Sequence, residues 1–246
     1  MARYVLVHGA WHGAWCWDEV VDDLRAAGHE ADAIDLPGHG GDATPHEQIT
    51  LVTYVRRIAE ALGDDGDDPV VLVGHSMGGI PLTQALELRP ERVAKAVYVT
   101  AFLPRDGESL QALAALPENP VDIVVPNCEI APPDAIIPDW AARAAFYNRC
   151  TEQQADAAIA RLCPQPLAPL ATPVEITAAR AGSVPRHYVA CTDDKAIPIA
   201  LQRRMIAQSP CESVVEIDSD HSPFLCAREA LVAALRAAAP EPAATS

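Results

Sequence analysis

The sequence lacks any apolar run near the ~20 residues a membrane-spanning helix requires, although half of its 246 residues are hydrophobic. It is poor in basic residues. Against 34 Asp and Glu stand only 18 Lys and Arg, a formal net charge of −16. Phosphate backbones and anionic lipid surfaces repel such a chain, which argues against nucleic acid and membranes as partners. Part of the charge lies in Asp64-Asp-Gly-Asp-Asp68, which reads as a solvated loop. Cysteine is present but unpatterned: seven residues (16, 128, 150, 163, 191, 211 and 226), with no CxxC pair and no cluster at metal-ligand spacing. A disulfide framework and a zinc site are therefore not expected, and reduced, mostly buried thiols are. Nothing resembling a leader precedes the strand-like run that begins at Arg3, which makes a cytoplasmic location the expectation. Internal repeats are also absent.

What is present is a rhythm. Residues 3–8 form a short apolar strand ending in Gly9, and Val20, Val21, Leu24 and Ala27 recur at helical spacing over 18–27, with Gly28 as the stop. A strand follows over 30–35. A second amphipathic helix spans 50–62, with Leu51, Val52, Val55, Ile58, Ala59 and Leu62 as its apolar residues. Apolar strands are expected at 69–73 and 93–99, with a helix over 81–88 between them. Strands alternating with helices, the strands apolar throughout, predict a six-stranded, mostly parallel α/β sheet covered on both faces. The rhythm stops near Phe102 and returns with strand 186–191, helix 199–208, strand 213–217 and helix 224–238. Between them, short helical pieces broken by prolines carry too many large apolar residues for a linker. The expected organisation is a core domain of 1–103 and 186–240, a helical cap inserted at 104–185, and a flexible tail at 241–246.

The motif that organises this frame is Gly74-His-Ser76-Met-Gly78, placed between an apolar strand and a helix. This is the sequence form of a nucleophile elbow. Gly74 and Gly78 flank the serine where a Cβ would collide with the neighbouring strand or helix. The alternative is a structural turn. A serine nucleophile needs a base, and an acid behind it; in an elbow-type fold these follow in chain order, each just past a strand. Of eight histidines, His8, His12, His39 and His75 precede or adjoin the elbow, His29 and His46 sit at helix edges or in loops, and His187 lies inside a strand. Only His221 falls between the last strand and the last helix. The acid should follow strand 186–191, where Asp193 and Asp194 are adjacent and the pattern does not choose between them. Asp218 and Asp220 stand too close to His221 in sequence to be good candidates. The oxyanion donors are expected to be the amides of Met77 and of Ala10, in the glycine-containing loop after the first strand. Two histidines in that loop lack a third ligand for a metal site.

His8-Gly-Ala-x-His12-Gly-Ala-Trp15-x-Trp17, Gly28-His-x-x-x-x-Ile-Asp35, Gly74-His-Ser-Met-Gly-Gly79 and Asp194-Lys-Ala-Ile-Pro198-x-x-x-Gln202-Arg resemble the plant methylesterase and hydroxynitrile lyase group of α/β hydrolases. The resemblance covers about two thirds of the chain; within 104–185 it is limited to length and to Phe102-Leu-Pro. It implies the α/β-hydrolase fold and selects Asp194 as the acid, and it agrees with Ala10 as a donor. Lyases of the group carry a threonine after the strand-end histidine and a lysine after the catalytic one; Gly9 and Ser222 stand here instead. The resemblance therefore implies an esterase, with Ser76, His221 and Asp194 catalytic and no cofactor. A small or medium apolar ester is the expected substrate, with Gly9, Trp11, Trp140, Phe146 and Tyr147 as pocket candidates. A hydroxynitrile-type lyase and a non-catalytic binding protein are the rival readings, lactone or amide cleavage is not distinguished, and monomer or homodimer is left open.

Overall fold

The computed structural model describes residues 1–64, 68–120 and 123–239. Residues 65–67 of the acidic run and the expected tail at 241–246 lie outside the described residues.

The chain opens with strand β1 (Arg3–Val7), helix α1 (Asp18–Ala26) and strand β2 (Glu30–Ile34). Gly28 takes a left-handed conformation (φ 85°) and the His29 amide closes on the Leu24 carbonyl, ending α1 as its glycine predicts. Helix α2 (Leu51–Ala61) starts at a reciprocal cap between Thr50 and Thr53. Its buried stripe is Leu51, Tyr54, Val55 and Ile58, whereas Val52 points to solvent. Strand β3 (Val70–His75), helix α3 (Gly79–Leu88) and strand β4 (Val93–Val99) complete the first half.

From residue 104 to 185 the chain forms α4 (Leu110–Ala114), β5 (Glu129–Ala131), β6 (Asp134–Ile136), α5 (Asp139–Phe146), α6 (Glu152–Ile159), β7 (Gln165–Pro166) and α7 (Ala168–Ala171). The small antiparallel sheet β5-β6-β7 is a departure from the purely helical expectation. Strands of two or three residues are too short to display alternation, and Pro132-Pro133, read as a breaker, forms the turn between two of them. The second half is β8 (Arg186–Cys191), α8 (Ile199–Gln208), β9 (Ser213–Ile217), α9 (Pro223–Cys226) and α10 (Arg228–Ala237). The single final helix expected over 224–238 is thus two, because Ala227 leaves the helical region (φ −143°, ψ 37°).

Six strands pair in parallel in the order β2-β1-β3-β4-β8-β9. Successive side chains of a strand point to opposite faces, and here both faces are apolar. Tyr4 and Leu6 of β1 pack with Val20, Leu24, Leu231 and Leu235 of α1 and α10. Val5 and Val7 pack on the other face with Ile58, Leu82 and Leu201 of α2, α3 and α8. Each fully buried Val or Leu contributes about 1.5–3 kcal/mol, so the two layers hold the strand ends, and the loops they carry, in fixed positions. The 104–185 segment is bonded onto the loop after β1: Trp11 donates its indole N–H to the Ala135 carbonyl (3.0 Å) and its amide to Gln165 Oε1 (3.2 Å). Among the described residues, no helix is long and apolar enough to cross a membrane.

Candidate active site

β3 runs directly into Ser76, which adopts φ 53°. That left-handed conformation costs an L-residue roughly 1–2 kcal/mol and is sustained by close packing around it. A Cβ on Gly74 would sit 2.9 Å from Leu82 Cδ1 and 3.0 Å from the Gly78 carbonyl oxygen; one on Gly78 would sit 2.7 Å from the His8 carbonyl oxygen at the end of β1. Gly79 matters as much: its Cβ would fall 2.1 Å from the Phe102 carbonyl oxygen. The elbow is therefore wedged between the ends of β1 and β4, as its glycine spacing predicts.

Ser76 Oγ lies 2.9 Å from His221 Nε2, and His221 Nδ1 lies 2.6 Å from Asp194 Oδ2. All three residues are buried. With Nδ1–H donating to the carboxylate, Nε2 is left as an acceptor for the serine hydroxyl. Asp194 also accepts the Thr100 hydroxyl on Oδ2 and the amides of Ala196 (2.7 Å) and Ile197 (2.8 Å) on Oδ1. Asp193, its neighbour, instead faces outward and pairs with Lys195 and Asn148. Asp218 is held by Arg149 at the surface. Of the four candidate carboxylates, Asp193, Asp194, Asp218 and Asp220, only Asp194 bonds the ring.

Ser76 opens into a cavity of about 320 Å³ that Ala10, Met77 and His221 border with it. Its wall is apolar, with Trp11, Phe102, Leu110, Phe146 and Leu170 prominent; Gln111 and Asn119 are its other polar members, and among the described residues no charged side chain lines it. Trp11 and Phe146 are where the sequence reading put them. Three other pocket candidates are not. Trp140 is 60% exposed, because α5 buries the face carrying Ala141, Ala142, Ala145 and Phe146 and turns Trp140 outward. Tyr147 is buried beyond the cavity wall, its hydroxyl donating to His12 Nε2 at 2.8 Å. Gly9 faces the elbow: a Cβ there would lie 2.8 Å from both Ser76 Cβ and His75 Nδ1. Its bare Cα makes room for the elbow, not for a ligand. Ser222 is fully buried and does not line the cavity.

Several further polar groups set this geometry. His75 Nε2 donates to the His221 carbonyl oxygen (2.7 Å), tying the elbow to the histidine loop. His12 Nδ1 donates to the Ala10 carbonyl (2.7 Å) and His8 Nε2 accepts the Leu36 amide (3.1 Å), bracing the loop after β1. Burial keeps these rings neutral. It pulls His12 down to about 4, helped by the neighbouring His221 and His39 rings. His8 and His75 are held well below the ordinary histidine value, again chiefly by burial. Neutral rings can each donate from one nitrogen and accept at the other, and His8 and His12 do both.

A parallel sheet flanked by helices, a strained serine after its third strand, and an acid and a histidine past its last two strands together define a class. The chain belongs to the α/β hydrolase family, which it matches over residues 4–234. Methylesterase 7 of Arabidopsis thaliana is 36% identical over 247 residues, covering 95% of this chain and 94% of the relative. The structure of polyneuridine aldehyde esterase aligns with a TM-score of 0.87 at 26% identity, covering 96% of this chain and 99% of that one. A pyrethroid hydrolase from Sphingobium faniae JZ-2 aligns with a TM-score of 0.86 at 26% identity, covering 99% of both. Within the family the protein falls in the methylesterase group.

Proposed function

We propose that the protein is a serine carboxylester hydrolase acting on small to medium apolar methyl, alkyl or aryl esters. The observation that carries this reading is the unbroken line Ser76 Oγ–His221 Nε2 at 2.9 Å and His221 Nδ1–Asp194 Oδ2 at 2.6 Å, opening into an apolar cavity. His221 takes the Ser76 proton as Oγ attacks the ester carbonyl. The Ala10 and Met77 amides hold the tetrahedral oxyanion. The proton passes from His221 to the departing alcohol, and water then repeats the sequence on the acyl-enzyme. Asp194 fixes the imidazole tautomer and stabilises the imidazolium. Residues 104–185 act as a cap that supplies most of the apolar wall. Among the described residues the cavity offers no cation to a departing anion such as cyanide, which favours ester cleavage over lyase chemistry. An uncharged ester also suits the wall better than a carboxylate would, because nothing there offsets the desolvation of a charge.

Hydrolysis of p-nitrophenyl acetate and of a methyl ester tests the reading. Ser76→Ala is expected to lower kcat by about 10⁴-fold or more, and mass spectrometry should find a covalent organophosphonate on Ser76. Hydrolysis that survives the substitution, or mandelonitrile cleavage well above the spontaneous rate, would overturn it.

A further inference from the structure

Seven scattered cysteines gave no reason to expect a ligand cluster, yet folding assembles one. Cys150, between α5 and α6, is 70 residues from Asp220, and Cys226 closes α9 six residues after it. Their ligand atoms all lie within 4.8 Å of one another, the one such group of three among the described residues. Cys226 Sγ donates to Asp220 Oδ1 at 3.0 Å, and Cys150 Sγ points to Oδ2 at 3.6 Å. The carboxylate is fully buried and also accepts the Ser222 amide on Oδ1 and the Arg149 amide on Oδ2, each at 2.8 Å. Ser219 Oγ stands 3.1 Å from Cys226 Sγ. Both thiols are only half-buried, so a solute can reach them.

The arrangement matches the needs of a soft cation. With Zn–S near 2.3 Å and Zn–O near 2.1 Å, tetrahedral ligand atoms stand about 3.6–3.8 Å apart. The S···O separations of 3.0 and 3.6 Å reach that spacing with shifts below about 1 Å. Two thiolates select the zinc class over calcium or magnesium. The Ser222 and Arg149 amides would remain donors to the carboxylate as it shifts, as donors behind metal ligands do. A disulfide between the two cysteines would be the other use of the pair, but it would strip both S–H donors from a buried carboxylate and put no cation in their place.

We propose that Cys150, Asp220 and Cys226 form a binding site for a soft divalent cation of the zinc class, joining the 104–185 segment to the loop that carries His221. The cation replaces the two S–H protons, which leave to solvent, and Ser219 Oγ or a water completes the tetrahedron. Because Asp220 immediately precedes His221, drawing its carboxylate to metal distance displaces the base, and loading lowers turnover.

Cadmium titrated into the reduced full-length protein tests this directly through its thiolate charge-transfer absorbance. The expected result is one equivalent per chain, two protons released per metal in weak buffer, and displacement by zinc. Cys150→Ser and Cys226→Ser, each retaining a donor for Asp220, should each weaken binding at least about tenfold with little change in Tm, and the double variant should abolish the band. Cys163→Ser with Cys211→Ser, which removes two other partly exposed thiols, should leave it intact. Absence of the band at stoichiometric cadmium, its survival in the Cys150/Cys226 double variant, or recovery of a Cys150–Cys226 disulfide from the protein as isolated would overturn the proposal. The titration reads no turnover, so it stands or fails independently of ester hydrolysis. The loss of turnover on zinc loading rests on the proposed esterase reading and should vanish in the double variant.

Discussion

Asp194 and Asp220 occupy equivalent places in the sheet. β8 and β9 are paired with Cys191 opposite Ile217, and each aspartate stands three residues beyond that pair. Both are buried, and both touch the loop carrying His221. Their donors differ. Those of Asp194 are His221, Thr100, Ala196 and Ile197, all from the strand ends and loops of the large sheet. Asp220 is held by Ser222 and Cys226 from its own loop and by Arg149 and Cys150 from the 104–185 segment. The Asp194 carboxylate therefore takes its donors from the strand ends and loops of the large sheet, while the loop of His221 is shared between that sheet and the 104–185 segment.

The sharpest way to break the contrast is at the acid. Asp194→Asn should keep the fold but favour the wrong imidazole tautomer, lowering kcat by about 10⁴-fold. Asp193→Asn weakens outward-facing pairs with Lys195, Asn148 and Arg149 and should leave ester turnover within about twofold, since exposed ion pairs contribute roughly 0–1 kcal/mol. Comparable losses from both would refute the assignment of the acid.

A second effect, several kcal/mol in size, comes from the histidines that brace the site. His12 titrates near 4 when folded and near 6.5 when unfolded. Between those values the unfolded chain binds more protons, so stability is full above about 6.5 and falls as pH drops, by up to about 1.4 kcal/mol per pH unit for each such ring. His8 and His75 act in the same direction, being held well below 6.5. Thermal unfolding followed by circular dichroism should show Tm dropping steeply between pH 6.5 and 5. His12→Gln, which cannot protonate, should flatten that slope. A slope unchanged in the variant would mean that His12 is not neutral in the folded protein.

Most of the sheet was legible because its signals are local. Strands 93–99, 186–191 and 213–217 and helix 199–208 lie where apolar runs and flanking breakers place them. Ser76 and His221 were readable for a related reason: the elbow is a short motif, and chain order leaves a single histidine. Asp194 needed the resemblance, since nothing in Asp193-Asp194 says which one turns inward. What could not be read depends on neighbours distant in sequence. Thr100 and His75 matter because β4 and the histidine loop happen to lie beside Asp194 and the elbow. Cys150 joins Asp220 only once the 104–185 segment is folded down. Three-residue strands are too short to show a period, and the break at Ala227 leaves no glycine–proline trace.

Smaller effects test the segment side of the contrast. Tyr147→Phe deletes the hydroxyl that joins α5's end to His12 and should cost about 1 kcal/mol, with a modest fall in kcat because His12 braces the Ala10 loop.

The smallest expected effect is at Trp140. A tryptophan in a segment that walls an apolar cavity is a natural candidate for substrate contact, and the sequence reading made it one. In the folded chain it shares α5 with Phe146 but lies on a different face, 60% exposed, while the Phe146 ring is tilted against those of Trp11 and His221, at 5.8 and 5.3 Å between centroids. Trp140→Ala should therefore change stability by no more than about 0.5 kcal/mol, as surface substitutions do, and leave kcat and KM for an apolar ester unchanged. Phe146→Ala, two turns along the same helix, should cost about 3–5 kcal/mol by opening the core and raise KM. A Trp140 variant with impaired KM would show that α5 rotates or unwinds when substrate enters, and that the wall seen here is only one of the states the segment adopts.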